Sequence, residues 1–340
     1  MSGKDTIILG IESSCDDTSA AIIKNGKVLS NIVAGQKVHE QYGGVVPELA
    51  SRAHQQNIIP VVDAALKAAN IDKKELDGIA FTRGPGLLGS LIVGTSFAKS
   101  FALGLDIPLV EVNHMQGHIV AHFIHNEQER YPKFPFLCMT VSGGHTQIVR
   151  VNDYFDMEIL GQTIDDAAGE AFDKAAKIMG IRYPGGPLID KYAKTGDRKK
   201  FKFPVSNLEG YNFTFSGLKT SILYFLKKEM AKNSNFIEEN LADICASYQS
   251  TIIQSLFLKL TKAAADYNIK DIAIAGGVSA NSLLRSELER IGIREKWNTF
   301  IPSFEYCTDN AAMIGIGGYY KFLKGEFAGQ DVAPSARLKF

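Results

Sequence analysis

Two stretches of this chain, 130 positions apart, spell the same order of elements, and that repetition limits the fold more than any single motif. TIILGIESSCDDTSAAIIKNGKVLSNIV begins at Thr6 and FLCMTVSGGHTQIVRVNDYFDMEILGQT begins at Phe136. Each reads as an apolar strand, a small polar turn, a second strand, an NG or ND turn and a third strand, which is a meander signal. Each half then closes alike. DGIAFTRGPG, from Asp77, is a strand entering a Gly-rich turn, followed by a helical stretch, the strand IPLVEV and a helix starting near His114. KDIAIAGGVSAN, from Lys270, is followed by the helix SLLRSELERIG, the strand NTFIP and a helix starting near Asp309. His114 follows Ile79 by 35 positions and Asp309 follows Ile272 by 37. The pattern implies an α/β chain built by duplication, with largely parallel pairing outside the meanders. It places a first domain at 1–134, carrying His114 and His118, and a second at 135–340, carrying a helical insert and several Gly turns. The insert spans about 165–267 and contains a loop at 191–211. The tail GEFAGQDVAPSARLKF reads as a loosely held extension.

The 340 residues are 45% hydrophobic and 22% charged, enough for two cores. Lys plus Arg equals Asp plus Glu, so any attraction for nucleic acid must come from a local patch. The four cysteines form neither a Cys-x-x-Cys pair nor a disulfide framework, which suits a reducing compartment. The N-terminus lacks the basic and apolar regions of a signal peptide, and no apolar stretch approaches the roughly 20 residues of a membrane span. The expectation is a cytoplasmic protein without a membrane partner.

The sharpest local motif is NHMQGHIVAHFIH. His114 and His118 are four apart and share a helical face, where two neutral imidazoles can bind one transition metal. His122 and His125 extend that face, so a solvated polar stripe stays open as the alternative. His114 falls at a helix start just beyond a strand end, where open α/β sheets place their sites. Its duplicate position is Asp309, in YCTDNAAM, and two domains facing each other would bring both helix starts to one cleft. Two His and one carboxylate form a metal set with open positions. Met115 stands where the zinc-protease pattern needs a Glu, which argues against a peptidase.

Three Gly-rich turns lie in the second half: TVSGGHT, YPGGP and AGGVSAN. Glycine lets backbone N–H groups approach phosphate oxygens, and there is no Walker lysine motif, so the turns fit a nucleotide held between loops. Acidic residues cluster at Glu12, Asp16 and Asp17 in one meander tip and at Asp165, Asp166, Glu170 and Asp173 in IDDAAGEAFDK. Helix capping and the first-turn dipole account for Asp165 and Asp166. The insert interleaves Arg198, Lys199, Lys200, Lys202 and Lys219 with Phe201, Phe203, Tyr211, Phe213 and Phe215, a composition that suits nucleic acid and also a plain solvated loop.

GIESSCDDTSAA, GGVVPELASRAH, RGPGLLGSL, NHMQGH, VSGGHTQIV, IDDAAGEAFDKAAK, YPGGP, FSGLKT, AGGVSAN and CTDNAAM together resemble the bacterial tRNA N6-adenosine threonylcarbamoyltransferase family, in the family's order and over nearly the whole chain. The resemblance implies a duplicated actin-like, sugar-kinase-like ATPase fold with two domains around a central cleft. It implies transfer of a threonylcarbamoyl group from threonylcarbamoyl-adenylate to N6 of the adenosine 3′ of the anticodon, in tRNAs reading codons that begin with A, with release of AMP. It implies one divalent metal on His114, His118 and Asp309, iron(II) first and zinc as the alternative. Substrate contacts carry over to Thr140, Val141, Ser142, Gly143, Gly144, Asp173, Gly186, Asp190 and Asn281; Thr140 and Asp190 are positions where family members vary. A smaller paralogous subunit and an ATPase subunit are the implied partners, with tRNA. No pattern singles out a general base; Asp16 is the residue named for it. The alternatives from other classes are a metal-independent sugar or small-molecule kinase and a nucleotide-switch protein on the same fold, neither of which needs the His114, His118 and Asp309 set.

Overall fold

A computed structural model describes residues 5–127, 130–205 and 208–339. The chain divides into two compact units, Met1–Tyr131 with Pro302–Phe340, and Pro132–Ile301. In the first unit, β1 (Ile7–Glu12), β2 (Thr18–Lys24) and β3 (Lys27–Ala34) form the antiparallel meander, and β4 (Gly78–Gly84) and β5 (Leu109–Asn113) add in parallel, giving the order β3-β2-β1-β4-β5. In the second, β6 (Phe136–Val141), β7 (Thr146–Val151) and β8 (Met157–Gln162) repeat the meander, and β9 (Asp271–Ala275) and β10 (Asn298–Phe300) add in parallel, giving β10-β9-β6-β7-β8. The two sheets have the same order and senses, so the repetition in sequence is a repetition in structure.

Helices cover the sheets because the strands are apolar on both faces. β1 and β2 are buried along almost their whole length. In the first unit, α1 (Pro47–Ala69) and α2 (Leu88–Leu105) pack through Ile58, Val61, Val62, Ala65, Ala98 and Ala102 on one face. α2 is long and apolar enough by composition to cross a membrane, contrary to the sequence reading that nothing approaches that length. Its buried side, however, packs on β4 and α1, as a core helix does. After β5, α3 (His114–Val120) begins at once.

The second unit holds α4 (Ala168–Ile178), α5 (Gly185–Ala193), α6 (Ser216–Met230), α7 (Phe236–Asp266) and α8 (Ser282–Glu295). The expected helical insert is therefore present, with its loop running from the end of α5 to α6; residues 206–207 of that loop lie outside the described residues. The aromatic half of its basic–aromatic pattern is core. Phe203, Phe213 and Phe215 are buried in the same cluster as Tyr248 and Ile252.

The expected boundary of the second domain is corrected at its C-terminal side. α9 (Ala311–Leu323) belongs to the first unit and lies on β1, β2 and β4. Small residues permit the approach: a Cβ on Gly10 would sit 2.5 Å from the Ala311 carbonyl oxygen and 2.6 Å from the Gly315 nitrogen. The tail is corrected too. Ala328 N–H donates to Leu109 O at 2.8 Å, Ser335 N–H to Arg83 O at 2.9 Å, and Arg83 Nε to Ala333 O at 3.2 Å. It is tied along β4 and β5, not loosely held. Gly84, at φ +150°, leaves 1.9 Å between a built Cβ and the Ser335 carbonyl oxygen. Gly84→Ala should therefore cost on the order of 2–3 kcal/mol and expose the tail. Denaturant unfolding and limited proteolysis read this out; parental stability with a protected tail would refute it.

Candidate functional site

In the first unit the site starts from a strand end. β5 stops at Asn113, whose side chain accepts from Met115 N–H at 2.9 Å and Gln116 N–H at 3.3 Å and so starts α3. That cap places His114 as the first helical residue and His118 one turn on. Their rings meet edge to face with centroids 4.8 Å apart. Asp309 arrives from the other end of the sequence, just before α9, whose N-cap Asn310 accepts from Met313 N–H at 3.1 Å. Asp309 Oδ1 lies 3.4 Å from His114 Nε2 and 3.2 Å from His118 Nε2. One ligand atom from each of the three residues falls within 4.8 Å of the others, with both imidazoles buried. His114, His118 and Asp309 are thus brought together within one unit, not by two facing helix starts from separate domains.

Glu12 stands behind them, and the sequence reading did not assign it a role. It ends β1 with no exposure. Its Oε2 lies 3.0 Å from His114 Nδ1 and accepts from Thr82 Oγ1 at 2.6 Å, and its Oε1 accepts from Ser14 N–H. Ser14 Oγ also lies 3.1 Å from His114 Nδ1. The signal was present: IILGIE is an otherwise apolar buried strand, and a carboxylate inside it needs a specific partner. A carboxylate on one imidazole nitrogen leaves the other free to face a cation, the usual arrangement behind metal-bound His. His54, fully buried, holds the loop between β1 and β2 through Thr18 Oγ1 at 2.7 Å and the Cys15 carbonyl at 3.0 Å.

The electrostatics agree with a cation site. Burial alone would raise the Asp309 carboxyl, but the charge and hydrogen bond of His114, then those of His118, hold it far below the usual carboxylate range. Burial works against the charge on His114, yet Asp309 and Glu12 hold its pKa well above the ordinary imidazole value. Two acids converge on these imidazoles, so the pocket retains a proton there or exchanges it for a metal cation. Asp17 behaves differently: burial, then the charges of Asp16, Asp309 and Glu12, push it up to about 7. The proposed stripe does not continue along α3. His125 Nε2 lies 3.4 Å from Tyr320 Oη, and its ring sits by Tyr131 and Tyr319.

The second unit gathers the Gly turns. Val141 and Thr140 end β6 fully buried, and Ser142 N–H donates to His145 O at 2.8 Å, closing the turn. Gly143 and Gly144 are exposed at its tip with nothing within 4 Å of a built Cβ. Their N–H groups have no acceptor among the described residues. Gly169, at the start of α4, donates to Ser142 O at 3.2 Å, and a Cβ on Gly276 would lie 2.6 Å from Val141 O. VSGGHT, AGGVSAN and the α4 N-terminus therefore converge through backbone contact.

The remaining predicted contacts serve as caps. Asp173 Oδ1 accepts from Gly185 N–H at 2.8 Å and Gly186 N–H at 3.1 Å, at the start of α5. Asp190 accepts from Ser282 Oγ at 2.7 Å and Ser282 N–H at 3.2 Å, at the start of α8. Asn281 caps α8 through Leu283 and Leu284 N–H, both at 3.0 Å, and donates to Gln249 Oε1 at 2.8 Å. Beside them opens a cavity of about 390 Å³ lined by Gln249, Ser282, Leu283, Ser286, Lys194 and Arg198, among others. Asp165 is not the cap of α4 that the sequence suggested. It accepts from Phe215 and Ser216 N–H at 2.8 and 3.4 Å and caps α6. Asp166 pairs with Lys174 at 2.6 Å.

Two sheets of identical order, each with an antiparallel meander and a parallel pair, define an actin-like α/β protein. Solved structures share that fold: HypF in its phosphate- and nucleotide-bound form, at TM-score 0.61 and 14% identity over 95% of this chain and 47% of that one, and component A of the Acidaminococcus fermentans (R)-2-hydroxyglutaryl-CoA dehydratase, at TM-score 0.54 and 16% identity over 94% and 99%. A sequence model of the tRNA N6-adenosine threonylcarbamoyltransferase family matches residues 27–316, and the chain belongs to that family. The enzyme of that name from Christiangramia forsetii is 64% identical over all of both chains, and the one from Riemerella anatipestifer is 61% identical over 99% of this chain and 98% of its own. The family is one of transferases that modify tRNA.

Proposed function

We propose that this chain transfers the threonylcarbamoyl group from threonylcarbamoyl-adenylate to N6 of the adenosine 3′ of the anticodon, in tRNAs reading codons that begin with A. The observation that carries the reading is the His114, His118 and Asp309 set backed by Glu12, in a chain that matches the family over residues 27–316. The fold alone is shared with proteins of other activities; membership of the transferase family is what favours this reading over a kinase or a nucleotide switch.

In the reaction, the N6 amine attacks the carbamoyl carbon, the bond from that carbon to the AMP phosphate oxygen breaks, and AMP leaves as the anion. Gly143 and Gly144 N–H groups, unpaired in the turn, bind the phosphate as its charge grows. Asn281, Asp190, Asp173 and Gly186 line the same converging turns and orient the nucleoside, while the buried Thr140 and Val141 and the turn residue Ser142 hold the turn in place. The general base for the N6 proton is assigned from sequence to Asp16. A divalent cation on His114, His118 and Asp309, iron(II) or alternatively zinc, would supply Lewis-acid polarisation of the carbamoyl oxygen. Glu12 keeps His114 oriented toward it. In this reading the chain works in the cytoplasm with a smaller paralogous subunit and an ATPase subunit, as the resemblance implies.

The test is nucleoside analysis by mass spectrometry of tRNA from cells depleted of this chain. Threonylcarbamoyladenosine should fall to background and return on complementation. Unchanged levels after full depletion would sink the assignment.

A further inference from the structure

The net charge is zero, so an RNA surface on this chain must be local and must consist of cations the fold has not already matched. The loop after α5 does not meet that condition as a whole. Arg198 pairs with Glu287 at 3.1 Å and Lys200 with Asp243 at 2.6 Å. Of its five cations, Lys194, Lys199 and Lys202 are without an acidic partner among the described residues. Phe201 and Phe203 anchor this loop on α6: their rings lie 5.0 and 5.5 Å from that of Phe225. Residues alternate along an extended segment, so Lys202, between the two inward rings, is turned to solvent and is exposed.

The same helix continues the surface. α6 buries Leu218, Ile222 and Leu226. Its outward residues at helical spacing are Thr220, Tyr224, Lys227 and Lys228, all exposed. Lys227 and Lys228 have no acidic partner among the described residues. Tyr224, one helical turn before them on the same face, is 66% exposed. No aromatic partner of this ring is found among the described residues, and two lysines stand on the next turn of the same face. The next cation, Lys232, is matched to Glu229 at 2.8 Å, and Glu238 and Glu239 open α7, so the basic surface ends at that turn.

We propose that the exposed face of α6, with Lys202 and Lys199 of the adjoining loop, is the surface on which tRNA is held. Lys199, Lys202, Lys227 and Lys228 lie against backbone phosphates, and an unpaired base stacks on Tyr224. Charge complementarity selects the occupant: a polyphosphate chain with accessible bases offers both the anions and the flat apolar faces that this surface lacks. The inference rests on the proposed function for the identity of the RNA.

The experiment measures binding of unmodified tRNA by the full chain against salt concentration. Lys202→Gln/Lys227→Gln/Lys228→Gln should lower the log–log slope by about 2 and weaken binding roughly tenfold or more at moderate salt. Tyr224→Leu should weaken it about fivefold or more with little change in slope, and Tyr224→Phe should restore it. Lys73→Gln/Lys74→Gln, on an exposed turn of the first unit, should behave as the parent. Affinity for a stable adenylate analogue and the melting temperature should be unchanged in every variant. Parental slope and affinity in the triple variant overturn the surface while leaving the proposed reaction intact. A parent that binds no tRNA at low salt overturns the surface for this chain, and the nucleoside analysis then decides the reaction separately.

Discussion

Asp309→Asn should purify with less than about a tenth of the metal that the parent carries, since the change removes the anion that faces both imidazoles. The shape of the side chain is retained, so the fold should hold. His118→Ala would make the same point less cleanly, because His118 is buried and its truncation also leaves a void. Glu12→Gln should weaken metal binding about 10- to 100-fold. The amide oxygen can still accept from His114 Nδ1–H, 3.0 Å away in the parent, but the negative charge behind the imidazole is gone. Asp16→Asn should leave the metal content unchanged. Elemental analysis per chain, with titration of the metal-free proteins, measures all three. Equal metal content in parent and Asp309→Asn would remove the site from these residues.

Two glycines of the nucleotide turns should fail in opposite ways. A side chain on Gly144 meets nothing within 4 Å, and its backbone is not in the left-handed region. Gly144→Val should therefore keep the melting behaviour within about 0.5 kcal/mol of the parent. It should also weaken adenylate binding at least tenfold, since the isopropyl group stands where phosphate would approach and one charged hydrogen bond is worth about 1.5–3 kcal/mol. Gly276 has φ +85°, and a Cβ there would lie 2.6 Å from the Val141 carbonyl oxygen. Gly276→Val should cost roughly 2–4 kcal/mol of stability from strain and overlap together. Calorimetric titration with an adenylate analogue and thermal unfolding separate the two. A Gly144→Val protein that binds normally would reduce VSGGHT to a turn.

Local patterns were enough for part of this. The alternation of strand and helix, the two meanders and the Gly turns follow from side-chain periods of two and three to four residues, which act over a few positions. The pairing of His114 with His118 is of that kind. Asp309 was matched to them by its equivalent position in the second repeat, and it does reach them, at 3.4 and 3.2 Å, though by another route. In sequence Glu12 is only one acid of a meander tip, because its partner His114 is 102 positions away. Local sequence makes Asp165 a cap of the helix that follows it, whereas it caps α6, 50 positions on. The aromatic residues of the insert, taken with its lysines as a nucleic-acid pattern, went to the core at Phe203, Phe213 and Phe215, leaving Lys202 outside.

By itself, then, the sequence determined the elements, their duplication, the two-His face and, through its motifs, the family. Tertiary structure alone decided that 302–340 returns to the first unit, because the small residues of α9 accept β1 at backbone contact. It also decided which charges are spent on one another and which remain for a ligand. Arg198 and Arg290 both meet Glu287, Lys200 meets Asp243, and Lys227 and Lys228 meet no acid among the described residues. The physical reason is range. Backbone geometry and side-chain periodicity are set by near neighbours in the chain, whereas burial and ion pairing depend on groups brought together from distant positions, which composition counts but cannot place.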